Sequence, residues 1–260
     1  MDFNNKTVWI TGASSGIGEG LAKAFNAKGA KVILSARNVD ELKRVQASFT
    51  NPSTPSVILP LDLQKYREIG DVTAQAIAAF GKVDILVNNA GISQRSLAVE
   101  TDFKDDLRIL EIDLIGTIAL TKSILPHLIE QKDAQIVVIS SVMGKINTKY
   151  RTSYAAAKHG IVGYFDCLRL ELDGLVNICN IMPGFINTNI VKNAVSLTFN
   201  SNNQNAAGMS PEVFAEKALK AIAQRKKNVF IGGIKEQFGM VMKRISPYLF
   251  DKMIIKMEVV

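Results

Sequence analysis

The stretch Thr7-Val8-Trp9-Ile10-Thr11-Gly12-Ala13-Ser14-Ser15-Gly16-Ile17-Gly18 follows a short polar start. Its first five residues are apolar or β-branched, as in a strand covered on both faces. A glycine-rich turn comes next, and an amphipathic run begins at Gly16. Such a strand–turn–helix passage lets backbone N–H groups approach a pyrophosphate closely, and the helix N-terminus adds its dipole and unpaired donors. Three residues separate Gly12 from Gly16, so the spacing differs from the common dinucleotide fingerprint. The context makes the signal strong. Gly12, Ser14, Ser15, Gly16, Ile17 and Gly18 are therefore expected around a bound nucleotide.

The same alternation continues outward. Short apolar runs at residues 7–11, 31–36, 56–61, 84–87, 135–140, 176–182 and 228–231 predict strands. Amphipathic stretches at 16–28, 39–49, 65–80, 103–131, 153–173 and 211–224 predict helices, the last opened by Ser210 as cap and Pro211 in the first turn. Strict alternation implies right-handed crossovers and an α/β fold: a Rossmann-type doubly wound parallel sheet of about seven strands with helices on both faces. No linker or repeat divides the chain, which reads as one domain over 1–260 with a C-terminal extension at about 235–260. The polar stretch 193–209 follows the sixth strand and is expected to act as a lid.

Ligands of such sheets sit at the carboxyl ends of the strands. The second strand ends in Ser35-Ala36-Arg37-Asn38, with no carboxylate before Asp40. An acidic residue there would bond a ribose 2′-hydroxyl, whereas Arg37 suits a 2′-phosphate. NADP(H) is thus expected over NAD(H); in the alternative, Arg37 points to solvent and pairs with Asp40 or Glu41. Asp62-Leu63 at the third strand and Asn88-Asn89-Ala90-Gly91 at the fourth stand where the chain can approach the cofactor.

The fifth strand ends in Ser140-Ser141. Tyr154 and Lys158 lie four residues apart, on one face of the helix that follows. Together with the turn at 11–18, the Asn88–Gly91 run and Pro183-Gly184 with Ile186 and Thr188, these motifs resemble, in order, the short-chain dehydrogenase/reductase family in its compact subgroup. The run from Tyr154 through Arg169 and the C-terminal extension are similar to the group called dehydrogenase/reductase member 7B and its bacterial relatives. The resemblance implies an oxidoreductase that moves a hydride between the nicotinamide and a carbonyl or alcohol. Tyr154 would be the general acid/base. A free tyrosine has a pKa of about 10, and Lys158 and the oxidised nicotinamide would favour its phenolate. Lys158 would also hold the nicotinamide ribose, Ser141 the substrate oxygen, and Thr188 the carboxamide. The family usually has an Asn in the long helix where this chain has Asp113. Its carbonyl could still serve a proton relay, but a buried carboxylate needs a partner, such as a Lys, or protonation.

The chain has 260 residues, 47% of them hydrophobic, and a formal net charge of +7. Its basic residues are dispersed and not interleaved with aromatics, so nucleic acid is not an expected partner. Cys167 and Cys179 read as reduced, buried thiols, and no His/Cys cluster has metal spacing. The polar start is not a signal peptide, no uninterrupted apolar run reaches ~20 residues, and a cytoplasmic protein is expected. The long helices at 103–131 and 153–173 would, by the resemblance, build a homodimer or homotetramer. The apolar and basic tail is expected to cover a hydrophobic pocket or a neighbouring subunit; the alternative is peripheral contact with an anionic membrane. The substrate is expected to be a hydrophobic small molecule. The alternatives are a 3-oxoacyl-carrier-protein-type reductase and a non-catalytic nucleotide sensor; the second would not need both Tyr154 and Lys158.

Overall fold

The computed structural model describes residues 1–188, 190, 194, 195 and 208–256. Seven strands form one parallel sheet in the order β3-β2-β1-β4-β5-β6-β7. They are β1 (Thr7–Thr11), β2 (Lys31–Ser35), β3 (Ser56–Ile58), β4 (Ile85–Asn88), β5 (Gln135–Ile139), β6 (Asn177–Pro183) and β7 (Asn228–Ile231). The direction of winding reverses between β1 and β4, which pair with Val8 opposite Ile85. The crevice at this switch point is where doubly wound sheets bind ligands.

Strand residues alternate between two cores, the signature of a sheet buried on both faces. Val8, Ile10, Val32, Leu34, Ile85 and Val87 join Leu21 and Phe25 of α1 (Gly16–Ala27), Leu42 of α2 (Val39–Ala47) and Phe214 of α7 (Pro211–Ala223). Trp9, Ile33, Leu86, Ile136 and Val138 face the other way. They meet Ala76 of α3 (Ile69–Phe80), Leu120 and Ile124 of α5 (Thr117–Glu130), and Phe165 of α6 (Thr152–Leu172). Trp9 is fully buried because its indole N–H finds an acceptor, the Ser35 hydroxyl at 2.8 Å.

Several boundaries differ from the expected ones. β3 ends at Ile58, just before Pro60, which has no N–H to give a ladder. A 3₁₀ turn at Tyr66–Glu68 precedes α3. The expected helix at 103–131 is α4 (Phe103–Leu110) and α5 joined through a π-helical turn at Glu111–Gly116. By length and composition this continuous Phe103–Glu130 helix could cross a membrane, yet Leu120, Ile124 and Leu128 are buried in the core. Cys179 is buried, and burial pushes its thiol up to about 12. Cys167, in contrast, is exposed: its position on α6 falls on the outer face, between the inward Phe165 and Leu168.

The C-terminal extension is helical. It comprises α8 (Ile234–Ile245) and α9 (Pro247–Lys256), held by the buried ring of Phe250. Ile234, Phe238, Val241, Ile245, Tyr248 and Leu249 stay exposed on it. Most of the stretch expected to be a lid, 193–209, lies outside the described residues. Its end is tied down: Met209 bridges Ile186, donates to Phe185 O and accepts from Asn187 N.

Candidate active site

A cavity of about 1190 Å³ opens at the carboxyl edge of the sheet. That exceeds the usual small-ligand range of roughly 300–1,000 Å³. It runs from the glycine turn, past the ends of β2, β3 and β4, to the ends of β5 and β6 and the start of α6.

At one end, Gly12 has φ +64, and a Cβ there would come within 2.8 Å of Ala90 Cα. Only glycine allows both the left-handed turn and this approach. The Thr11 hydroxyl accepts from the amides of Asn89 and Ala90 at 3.0 Å, and the Asn89 side chain donates to Thr11 O and Gly12 O. The turn is thereby stitched to β4. Ser15 precedes α1 without capping it, in contrast to Asn38, whose side chain accepts from Glu41 N at the start of α2. The amides of the first turn of α1 therefore keep their donors for another acceptor.

Gly12, Ser14, Ser15, Gly16, Ile17, Arg37, Asn38, Asp62, Leu63, Asn89, Ala90 and Gly91 all line this part of the cavity. Gly18 does not: it lies behind the turn, directly against Gly12 O. Arg37 is exposed. The acids near it are otherwise engaged, Asp40 with Lys43 and Glu41 with Arg44.

At the other end, Ser141, Tyr154, Lys158, Pro183, Gly184, Ile186 and Thr188 line the wall. Ser141 Oγ accepts from Met143 N at 3.1 Å. Its proton thus remains available to a second partner. Tyr154 is buried on the first turn of α6, with Lys158 Nζ 5.5 Å from the ring centroid. Asp113 sits on the π turn, behind the wall. Its Oδ1 accepts from Ile92 N at 2.8 Å, and its Oδ2 lies 3.2 Å from Lys158 Nζ. Both side chains are deeply buried, at 0% and 6% exposure. Complete burial pushes the Asp113 carboxyl above the usual carboxylate range, against the pull of Lys158 and the Ile92 amide. Burial also works against the Lys158 ammonium, but Asp113 and Tyr154 outweigh it and hold the group above its ordinary value.

Other residues emerge only in three dimensions. Gln94 is buried, and its side-chain oxygen accepts from the amides of Ser153 and Tyr154, fixing the start of α6. Arg151, half-buried on the cavity wall, donates to Ser93 Oγ at 2.8 Å and stands 5.6 Å from the Tyr154 ring centroid. Arg44 grips Glu19 of α1 through two nitrogens and reaches Ser14 O of the turn. These links span 25 to 60 positions, and no local pattern announces them.

The model of the family described as short chain dehydrogenase matches residues 6–197. The chain belongs to the short-chain dehydrogenase/reductase family. It is an oxidoreductase of that family with a nucleotide-binding Rossmann fold. A "Dehydrogenase/reductase SDR family protein 7-like" of Anopheles gambiae is 40% identical over 95% of this chain and 81% of its own length. "Dehydrogenase/reductase SDR family member 7B" of Rattus norvegicus is 36% identical over 95% of this chain and 80% of its own. Among solved structures, a short-chain dehydrogenase/reductase from Burkholderia phymatum in complex with NAD superposes with a TM-score of 0.86, covering 96% of both chains at 21% identity. An alcohol dehydrogenase of Thermococcus sibiricus complexed with 5-hydroxy-NADP gives 0.79 at 22% identity, over 89% of this chain and 97% of that one. The fold of this short-chain dehydrogenase/reductase is shared with both.

Proposed function

We propose that this chain is an NADP(H)-dependent carbonyl reductase or alcohol dehydrogenase acting on a small molecule with an apolar body. The observation that carries the reading is one continuous cavity, walled by the glycine turn and Arg37 at one end and by Ser141, Tyr154 and Lys158 at the other. A nicotinamide dinucleotide fits the residues present: Gly12, Ser14, Ser15, Gly16 and Ile17 line the cavity at the start of α1, which has no side-chain cap. Its pyrophosphate would meet the uncapped start of α1, and Arg37, free of an acidic partner among the described residues, would hold a 2′-phosphate.

When bound, the nicotinamide supplies or accepts the hydride. Ser141 donates its unspent proton to the substrate oxygen, where negative charge develops. Tyr154 gives a proton to that oxygen in reduction and takes it back in oxidation. Lys158 would hold the ribose, and both Lys158 and Arg151 set positive charge beside the phenol. Ile146, Phe250, Met253 and Ile254 line the cavity and give the substrate an apolar wall.

A panel of ketones and aldehydes assayed with NADPH and NADH tests this reading, with Y154F beside the wild type. Turnover with a higher kcat/KM for NADPH, lowered about 10²- to 10⁴-fold in Y154F, is expected. Equal or better use of NADH overturns the cofactor assignment, and an active Y154F overturns the chemistry.

A further inference from the structure

The catalytic corner is rich in positive charge. Lys158 Nζ and Arg151 Cζ lie 5.5 and 5.6 Å from the Tyr154 ring centroid, and Arg108 lines the same cavity. Among the described residues, neither arginine has a carboxylate within ion-pair distance, and nearby Asp106 accepts from the Ser153 hydroxyl instead. Asp113 is the acid within ion-pair distance of Lys158 among the described residues; Glu236, which also lines the cavity, accepts from Phe185 N. Asp113 touches neither solvent nor cavity. One oxygen is held by Ile92 N, and the other faces Lys158 at 3.2 Å. The approach to the cavity wall is so close that a Cβ on Gly91 would lie 2.8 Å from Asp113 Oδ2. The carboxylate is thus locked, and it acts on the cavity through Lys158.

We propose that Asp113 is a positioning residue that balances the charge of Lys158 and thereby favours the oxidised, positively charged nicotinamide over the reduced, neutral one. The inference rests on the cavity being a nicotinamide site. A lone lysine beside Arg151 repels a third cation; a lysine paired with a carboxylate is neutral at a distance. One unit charge about 10 Å away, at an effective dielectric near 20, changes binding by on the order of tenfold. The neutral reduced ring feels little of this, so the charge on Asp113 is read by the difference between the two redox forms.

D113N keeps the size of the side chain and an acceptor for Ile92 N, and removes the charge. Dissociation constants of NADP⁺ and NADPH, and separately of NAD⁺ and NADH, are measured by calorimetry without turnover. The ratio Kd(oxidised)/Kd(reduced) is expected to rise on the order of tenfold in D113N. A purely structural role for Asp113 would weaken both forms alike and leave the ratio unchanged; an unchanged or lowered ratio overturns the proposal. If D113N does not fold, D113S supplies the second arm: it is smaller and equally uncharged, and the ratio should rise in the same direction. A ratio that is unchanged or lower in D113S overturns the proposal equally. Wild-type protein that binds none of the four nucleotides would instead overturn the nicotinamide reading itself, and a preference for the NAD pair would overturn only the role of Arg37.

Discussion

The two ends of the cavity are built in opposite ways. The glycine end is built around neighbours in sequence: β1, the turn and the start of α1 lie within Thr7–Ala27, and Arg37, Asp62 and Asn89 join them from the ends of the adjoining strands. It offers main-chain donors at the start of α1, which no side chain caps. The catalytic end is assembled from distant segments. Gln94, Asp113, Ser141 and Tyr154 come from four separate stretches and converge through side chains, most of them buried. The first is a shape that a peptide can adopt locally; the second exists only after the sheet has formed. A local site tolerates changes in what surrounds it, whereas a convergent site depends on each contributor. Variants should therefore hurt more, and more selectively, at the catalytic end.

The largest effect outside Tyr154 is expected at Ser141. S141A should lower kcat by about 10²- to 10³-fold, while the nucleotide dissociation constant stays within about twofold of wild type. A weakened nucleotide with unchanged kcat would place Ser141 at the wrong end of the comparison. At the glycine end, R37M should lower the NADPH-over-NADH ratio of kcat/KM by about ten- to a hundredfold, the size of a lost charge-assisted bond. Its kcat should hardly move at saturating nucleotide; a large fall in kcat would show that the two ends are coupled.

The smallest effect is expected at Glu19, which braces the turn from behind. The Arg44 guanidinium, with Lys23, holds its carboxyl down at about 2 from its ordinary 4.5, against the cost of burial. A carboxyl depressed on folding stabilises the protein above its unfolded value. That contribution is lost as pH falls from about 4.5 toward 2. E19Q should therefore be less stable than wild type near neutrality by under about 1 kcal/mol, since Arg44 is largely exposed. The gap should close on acidification. Urea denaturation at pH 7 and pH 3 reads it, and a gap that widens at pH 3 would contradict the ion pair.

The same contrast decides what could be read before folding. The alternation of Val8 and Ile10 with Trp9, and the turn at Gly12, are local patterns, so the sheet and the cradle were legible from residue types alone. So was the i, i+4 spacing of Tyr154 and Lys158. Boundaries moved where a neighbour intervened, as at the proline-limited end of β3. Asp113 was legible as a buried carboxylate in need of a partner, but not as the partner of Lys158: 45 residues separate them, and no periodicity encodes that distance. Arg151 belongs to no motif along the chain, and only the fold brings it onto the cavity wall. Cys167 was misjudged for a related reason: an apolar neighbourhood along the chain does not say which face of a helix points inward.

The π turn at Glu111–Gly116 works as a phase shifter. An α-helix advances about 100° per residue, so a turn with wider hydrogen-bonded spacing changes the rotational phase of everything downstream. Upstream of it, α4 faces one set of neighbours; downstream, Leu120, Ile124 and Leu128 of α5 face the sheet. Removing a single residue within the turn would leave composition and helical propensity almost unchanged. It would nonetheless rotate Asp113 relative to α5 by about 100°, so that either the core or the Lys158 pair must be given up. Helix continuity is therefore less informative in this molecule than helix phase.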